Sequence, residues 1–127
     1  HATLVIIGDT NLAGNAVITV YGGATDAAET AAITFTYRYA SGNVAATSSD
    51  VYGAAATSAA LTTTATSMDL RTTLIEFDAS DLWVSNVQYR FVTVVVSAAG
   101  TAGTCSIVAI LSEPRYLEAI MDTANPA

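Results

Sequence analysis

Residues 32–39 constrain the fold most. Ile33, Phe35, Tyr37 and Tyr39 fall on one side of an extended chain, and Thr34, Thr36 and Arg38 on the other. Successive side chains of a strand point to opposite faces. A period of two built from β-branched and aromatic residues therefore specifies a half-buried strand. Other segments read in the same way. Residues 2–7 are a short branched run that stops at the turn-forming cluster Gly8-Asp9-Thr10-Asn11. A second strand is predicted over residues 16–21, closed by Gly22-Gly23, and the polar, Ala-rich residues 26–31 form a loop or a single helical turn.

Ser41-Gly42-Asn43 ends the alternating strand. In residues 44–60 the only large side chains are Val51 and Tyr52, which predicts a long loop with one short strand or turn. Residues 61–67 are a Thr-rich strand with two mild faces. In residues 70–77, Leu70, Thr72, Leu74 and Glu76 share one face, while Arg71, Thr73, Ile75 and Phe77 share the other. Asp78-Ala79-Ser80-Asp81 is a turn in which Ser80 or Asp81 can cap a brief helical turn. Residues 87–97 form the longest predicted strand. Tyr89, Phe91, Thr93 and Val95 lie opposite Arg90, Val92, Val94 and Val96, so both faces are largely apolar and a central position is expected. The small residues 98–103 would join it as a hairpin to a last strand, residues 104–111, with Cys105, Ile107, Ala109 and Leu111 on one side.

Seven or eight strands with little helix predict an all-β fold: an antiparallel β-sandwich or jelly-roll-like domain with extended N- and C-terminal arms. A chain of 127 residues makes one domain that buries about two-thirds of its unfolded surface. Residues 1–111 are assigned to the sandwich and 112–127 to a C-terminal arm. The tail holds both prolines, Pro114 and Pro126, and Tyr116, Leu117, Ile120 and Met121 have helical spacing. Such a tail either lies on a neighbour or folds back over its own sheet. No internal repeat of convincing period is visible.

Composition narrows the chemistry. Only 12% of residues are charged, 52% are hydrophobic, and there is no lysine. Soluble monomers carry about 25% charged residues. Half that share, with a mean hydropathy of +0.47, points to surface covered by oligomerisation or docking, or else to outer faces of Thr and Ser. A net charge of −7 argues against nucleic acid and anionic membranes as partners, and Arg38, Arg71, Arg90 and Arg115 form no basic stripe. Apolar runs such as residues 92–96 are too short to span a bilayer. No basic region followed by a long apolar stretch suggests a signal peptide. One cysteine makes no internal disulfide and implies no oxidising compartment.

Catalytic and ligand-binding patterns are thin. A copper site built on an amino-terminal histidine needs a second histidine, and His1 is the only one. Asp9 and Asn11 have a calcium-loop spacing, but Leu12, Ala13 and Gly14 add no carboxylate. Asp78 and Asp81 can share a surface cation or cap the turn. Glu76 and Asp78 can share a strand face, as glycosidase carboxylates do, without any sign of a sugar cleft. Gly22-Gly23 lacks the lysine and spacing of a phosphate loop. Cys105 reads as a small buried hydrophobe. No enzyme activity, cofactor or metal is expected. Trp83 follows a turn, where it serves either as an exposed platform or interface anchor, or as a plug at one end of a sandwich.

Several strings together carry a resemblance. They are Ile33-Thr34-Phe35-Thr36-Tyr37-Arg38-Tyr39, then Ser48-Ser49-Asp50-Val51 with the small residues 53–60, and Leu74-Ile75-Glu76-Phe77-Asp78 leading past Trp83 to Tyr89. The ending Ala109-Ile110-Leu111-Ser112-Glu113-Pro114-Arg115-Tyr116 completes the set. The chain resembles small head proteins of tailed bacteriophages, which decorate or cement a capsid, over about residues 30–122. The resemblance implies a structural virion protein on the outer capsid surface. Its partners would be the major capsid protein and neighbouring copies of itself, as a trimer or another homo-oligomer.

On that reading the contact-forming residues are Leu4 and Ile6 in an N-terminal run, Trp83, and in the tail Tyr116, Leu117, Ile120 and Met121. Arg115 would pair with an acidic capsid surface. A self-assembling extracellular filament or surface-layer subunit is the alternative. A carbohydrate-binding module using Trp83 and Tyr52 is a further one.

Overall fold

The computed structural model describes residues 1–8, 16–43, 47, 50–64, 70–97 and 104–112. The chain is all-β and sandwich-like. Its strands are β1 (Ala2–Gly8), β2 (Val17–Gly23), β3 (Ala31–Ala32), β4 (Phe35–Tyr39), β5 (Ala56–Ser58) and β6 (Leu61–Thr62), followed by β7 (Thr72–Phe77), β8 (Trp83–Val84), β9 (Val87–Gln88), β10 (Phe91–Ser97) and β11 (Cys105–Leu111). A five-stranded first sheet runs in the order β11-β1-β7-β4-β5, and a second sheet runs β10-β2-β3 with β6 also on β2. Every strand pairing is antiparallel.

The period-two patterns become the core. Leu4 and Ile6 of β1, Ile18 and Val20 of β2, Phe35 of β4, and Ile75 and Phe77 of β7 pack together with Ile33 and Leu61. Burying one such side chain contributes about 1.5–3 kcal/mol. The alternating stretch 32–39 keeps its faces, with Ile33 and Phe35 buried and Tyr37 and Tyr39 packed against the core. It does not remain one strand, because β3 belongs to the second sheet and β4 to the first. Between them the Ile33 amide donates to the Val20 carbonyl at 2.9 Å. Two residues cannot span far, so β3 and β4 stack on one flank of the sandwich. β10, on the far side of β2, is the edge of the second sheet away from β3 and β6.

Several expectations are corrected. Residues 87–97 are not one central strand. Val87–Gln88 pairs with Trp83–Val84, while Phe91–Ser97 forms an edge of the second sheet. The chain changes partner in between, where the Tyr89 amide donates to the Leu82 carbonyl and the Arg90 amide to the Gly23 carbonyl. Nor are β10 and β11 a hairpin: β11 pairs with β1, setting Cys105, Ile107, Ala109 and Leu111 opposite Gly8, Ile6, Leu4 and Ala2. Gly22 and Gly23 do not close β2 but stay inside it, opposite Val92 and Phe91. They are glycines for lack of space, since a Cβ on Gly22 would meet the Tyr89 ring at 2.9 Å and one on Gly23 the Ala28 carbonyl oxygen at 2.6 Å. The N-terminal run is an inner strand between β11 and β7, so it is not an arm. Residues 78–81 form turns with no helix, and the Asp81 Oδ2 atom accepts from the Asp78 amide at 2.7 Å. Residues 26–30 form a loop. Residues 65–67 of the Thr-rich stretch, and the proposed tail from residue 113 onward, lie outside the described residues.

Two threonines are anomalous in this core. Thr63 and Thr73 are fully buried, and among the described residues their Oγ1 atoms have no hydrogen-bond partner. A buried hydroxyl without a partner costs about 1–3 kcal/mol, and valine keeps nearly the same shape without that cost. Thr73→Val should therefore raise stability by about 1 kcal/mol, read as a melting temperature several degrees higher. A lower melting temperature would show that the hydroxyl is satisfied.

Candidate functional site

Charge is unevenly placed on the sandwich. β11, β1, β10 and β2 contain no charged residue. On the outer face of the first sheet the charges sit in β7 and β4, where Arg38 Nε lies 4.0 Å from Glu76 Oε2. On the same face, Thr3, Val5 and Ile7 of β1 lie beside Ile110, Val108 and Ser106 of β11. Among the strands only β4 and β7 carry a charge, Arg38 and Glu76, so the strands at both flanks are uncharged.

One flank is also apolar. In β11, Ile107 is 38% exposed, Val108 58%, Ile110 53% and Leu111 80%. In β10, at an edge of the second sheet, Phe91 is 42% and Val92 38% exposed. Among the described residues no strand pairs with the outer edge of either β10 or β11.

A second apolar feature rises beside one end of this flank. The β8–β9 hairpin turns through Ser85 and Asn86, both at positive φ (51° and 65°), the geometry of a two-residue loop that follows the natural strand twist. Leu82 and Val84 pack against the core and anchor the hairpin. Trp83, paired with Gln88, is left 56% exposed. The root of the hairpin is tied to the exit of the tail. His1 Nδ1 lies 2.8 Å from Asp78 Oδ1, and the Ser112 amide donates to the His1 carbonyl at 3.0 Å.

The expected contact residues divide accordingly. Trp83 is exposed, on a rigidly rooted hairpin. Leu4 and Ile6 are buried core residues of an inner strand, so they cannot serve as surface contacts in the folded chain. Arg115, Tyr116, Leu117, Ile120 and Met121 lie outside the described residues. Sequence reasoning missed Ile107, Val108, Ile110, Phe91 and Val92 as surface. The available signal was negative: two seven-residue strands with no charge, proline or glycine inside them, which are the usual guards of an edge.

Elsewhere among the described residues one hydroxyl, one imidazole and one carboxylate stand in line, with Thr3 Oγ1 3.3 Å from His1 Nε2 and His1 Nδ1 2.8 Å from Asp78 Oδ1. An open pocket of about 260 Å³ is lined by Ile7, Gly8, Leu70, Thr104, Cys105 and Ser106. Cys105 is its only titratable side chain, and burial pushes that thiol up from its usual range. The group stays protonated at neutral pH, and a protonated thiol is a poor nucleophile and metal ligand. Tyr52 is half-buried at an isolated bridge to Ala40. Among the described residues no three His, Cys, Asp or Glu side chains cluster so as to hold a metal ion. The described residues contain no helix long and apolar enough to cross a membrane. Comparison with protein-family models, with curated proteins and with solved structures finds no match.

Proposed function

We propose that this chain is a non-catalytic structural protein that decorates and stabilises a bacteriophage capsid by docking on the major capsid protein. One observation carries the reading: an acidic chain that leaves a broad apolar surface uncharged, beside an exposed tryptophan on an anchored hairpin. Such a surface favours a protein partner over solvent. The resemblance to phage head proteins supplies the identity of that partner. Trp83 is the anchor within the described residues, with Arg115, Tyr116, Leu117, Ile120 and Met121 of the tail as the others. Their contacts would repeat across the shell by symmetry, so modest affinity per site suffices.

Interface tryptophans are frequent hot spots worth about 2 kcal/mol or more. Trp83→Ala should weaken binding to empty phage shells by at least tenfold while leaving the fold unchanged, because the side chain contributes little to the core. Titration of shells with wild-type and variant protein, read by co-sedimentation, measures this. Unchanged shell affinity would remove Trp83 from the interface. Loss of glycan binding in its place would favour a carbohydrate-binding module. Unaided growth into polymers would favour the filament reading, which the open edges of β10 and β11 also suit.

A further inference from the structure

We infer that the β10–β11 flank is the interface between two copies of this chain, joined edge to edge about a two-fold axis through Val108 of β11. Four features of the flank point to a second copy.

The first is that each of the two sheets has an open edge. β10 and β11 are each seven residues long and each has one unpaired edge among the described residues. A strand donated by another protein would satisfy one edge. A two-fold axis normal to the sheets continues the first sheet through a β11–β11 pair.

The second is self-complementarity. Antiparallel pairing of β11 with itself, centred on Val108, sets Cys105 against Leu111, Ser106 against Ile110 and Ile107 against Ala109. Each pair places a smaller side chain opposite a larger one. In an isologous interface each of these pairs occurs twice, since residue i meets j and j meets i.

The third is electrostatic. Two chains of net charge −7 repel, and like charges opposed across strands destabilise a pairing. β10 and β11 carry no charge, and neither do their neighbours β2 and β1.

The fourth is size. The flank carries six exposed large apolar side chains, from Val92 and Ile107 at 38% to Leu111 at 80%. The other flank differs. It ends in β5, three residues of Ala, Thr and Ser, and in the two-residue strands β3 and β6.

The inference concerns the chain alone, so it stands or falls separately from shell docking. The test is sedimentation equilibrium of the full chain over a micromolar range, without capsids. Wild type should show twice the 13.0 kDa chain mass. Val108→Lys places two like charges face to face across the axis and should halve the measured mass. Its melting temperature should fall no further than loss of the dimer explains, since Val108 is exposed in the single chain. Val51→Lys, an equally exposed valine before β5, should remain dimeric. In Cys105→Ser/Val108→Cys, mild oxidation should give a disulfide-linked dimer, because the closest directly opposed residues of an antiparallel pair have Cβ atoms about 4.5 Å apart, the upper end of what a disulfide spans. A wild-type mass of one chain throughout the range would overturn the inference. So would an unchanged mass in Val108→Lys. A monomeric full chain that dimerises only when cut after Ser112 would overturn it too, and would show that the tail covers its own edge.

Discussion

Removing residues 113–127 is expected to abolish binding to phage shells while leaving the sandwich folded. The core residues that the structure describes lie between Ala2 and Cys105, so the truncation deletes none of them. The bond from the Ser112 amide to the His1 carbonyl also survives. What is lost is a segment with four apolar anchors, Tyr116, Leu117, Ile120 and Met121. Each is worth about 1.5–3 kcal/mol when fully buried on a partner. Ordering a free segment offsets part of that gain. The net loss, multiplied over many symmetric copies, is enough to take the protein off the shell. Circular dichroism and melting temperature should be close to wild type, and the truncated protein should stay in the supernatant when shells are pelleted. Retained pelleting would place docking elsewhere, at the Trp83 hairpin or the flank.

The largest effect on stability is expected at Phe35. This side chain is fully buried next to the point where the chain passes from the second sheet to the first, with Ile33 and Ile75 in the same cluster. Phe35→Ala removes its burial energy and leaves a cavity between two layers that cannot collapse freely. Such changes cost about 3–5 kcal/mol. Domains of this size are stable by about 5–15 kcal/mol, so the variant should unfold at much lower denaturant concentration or fail to fold at physiological temperature. Leu111→Ala, at a mostly exposed edge position, should by contrast change single-chain stability by about 0.5 kcal/mol or less. A Phe35→Ala cost as small as that would place the core elsewhere. The midpoint of urea unfolding, measured with each variant, decides it.

Which residues face inward was legible in the sequence, but which strands lie side by side was not. The faces of residues 33–39, 71–77 and 105–111 came directly from alternation, because side-chain direction is a local property of an extended chain. Lateral order is set by pairing between distant segments, such as β1 with β11, and no local pattern encodes it. The strand at β10 shows the consequence. Its two apolar faces suggested a central position, since apolar side chains are expected to be buried within their own chain. In the structure the same residues form an edge of the second sheet. Changes of sheet also leave little trace. The alternation runs unbroken through Ile33 although the strand divides there, because the buried side chain serves the core from either layer. For Trp83, its position after a turn left an exposed anchor and a plug at one end of the sandwich both open, and the structure shows it 56% exposed. Leu4 and Ile6 were misplaced for a related reason: an apolar run near a terminus looks like an arm until its pairing on both sides is known.

The central claim is that the apolar surface of this acidic chain exists to be covered by protein, on a shell and by its own copies. Light scattering and sedimentation of the purified chain, alone and mixed with empty phage shells, test it most directly. A small discrete oligomer that co-sediments with shells in fixed proportion is the expected result. A chain that stays monomeric and remains entirely in the supernatant at shell concentrations well above micromolar would contradict it.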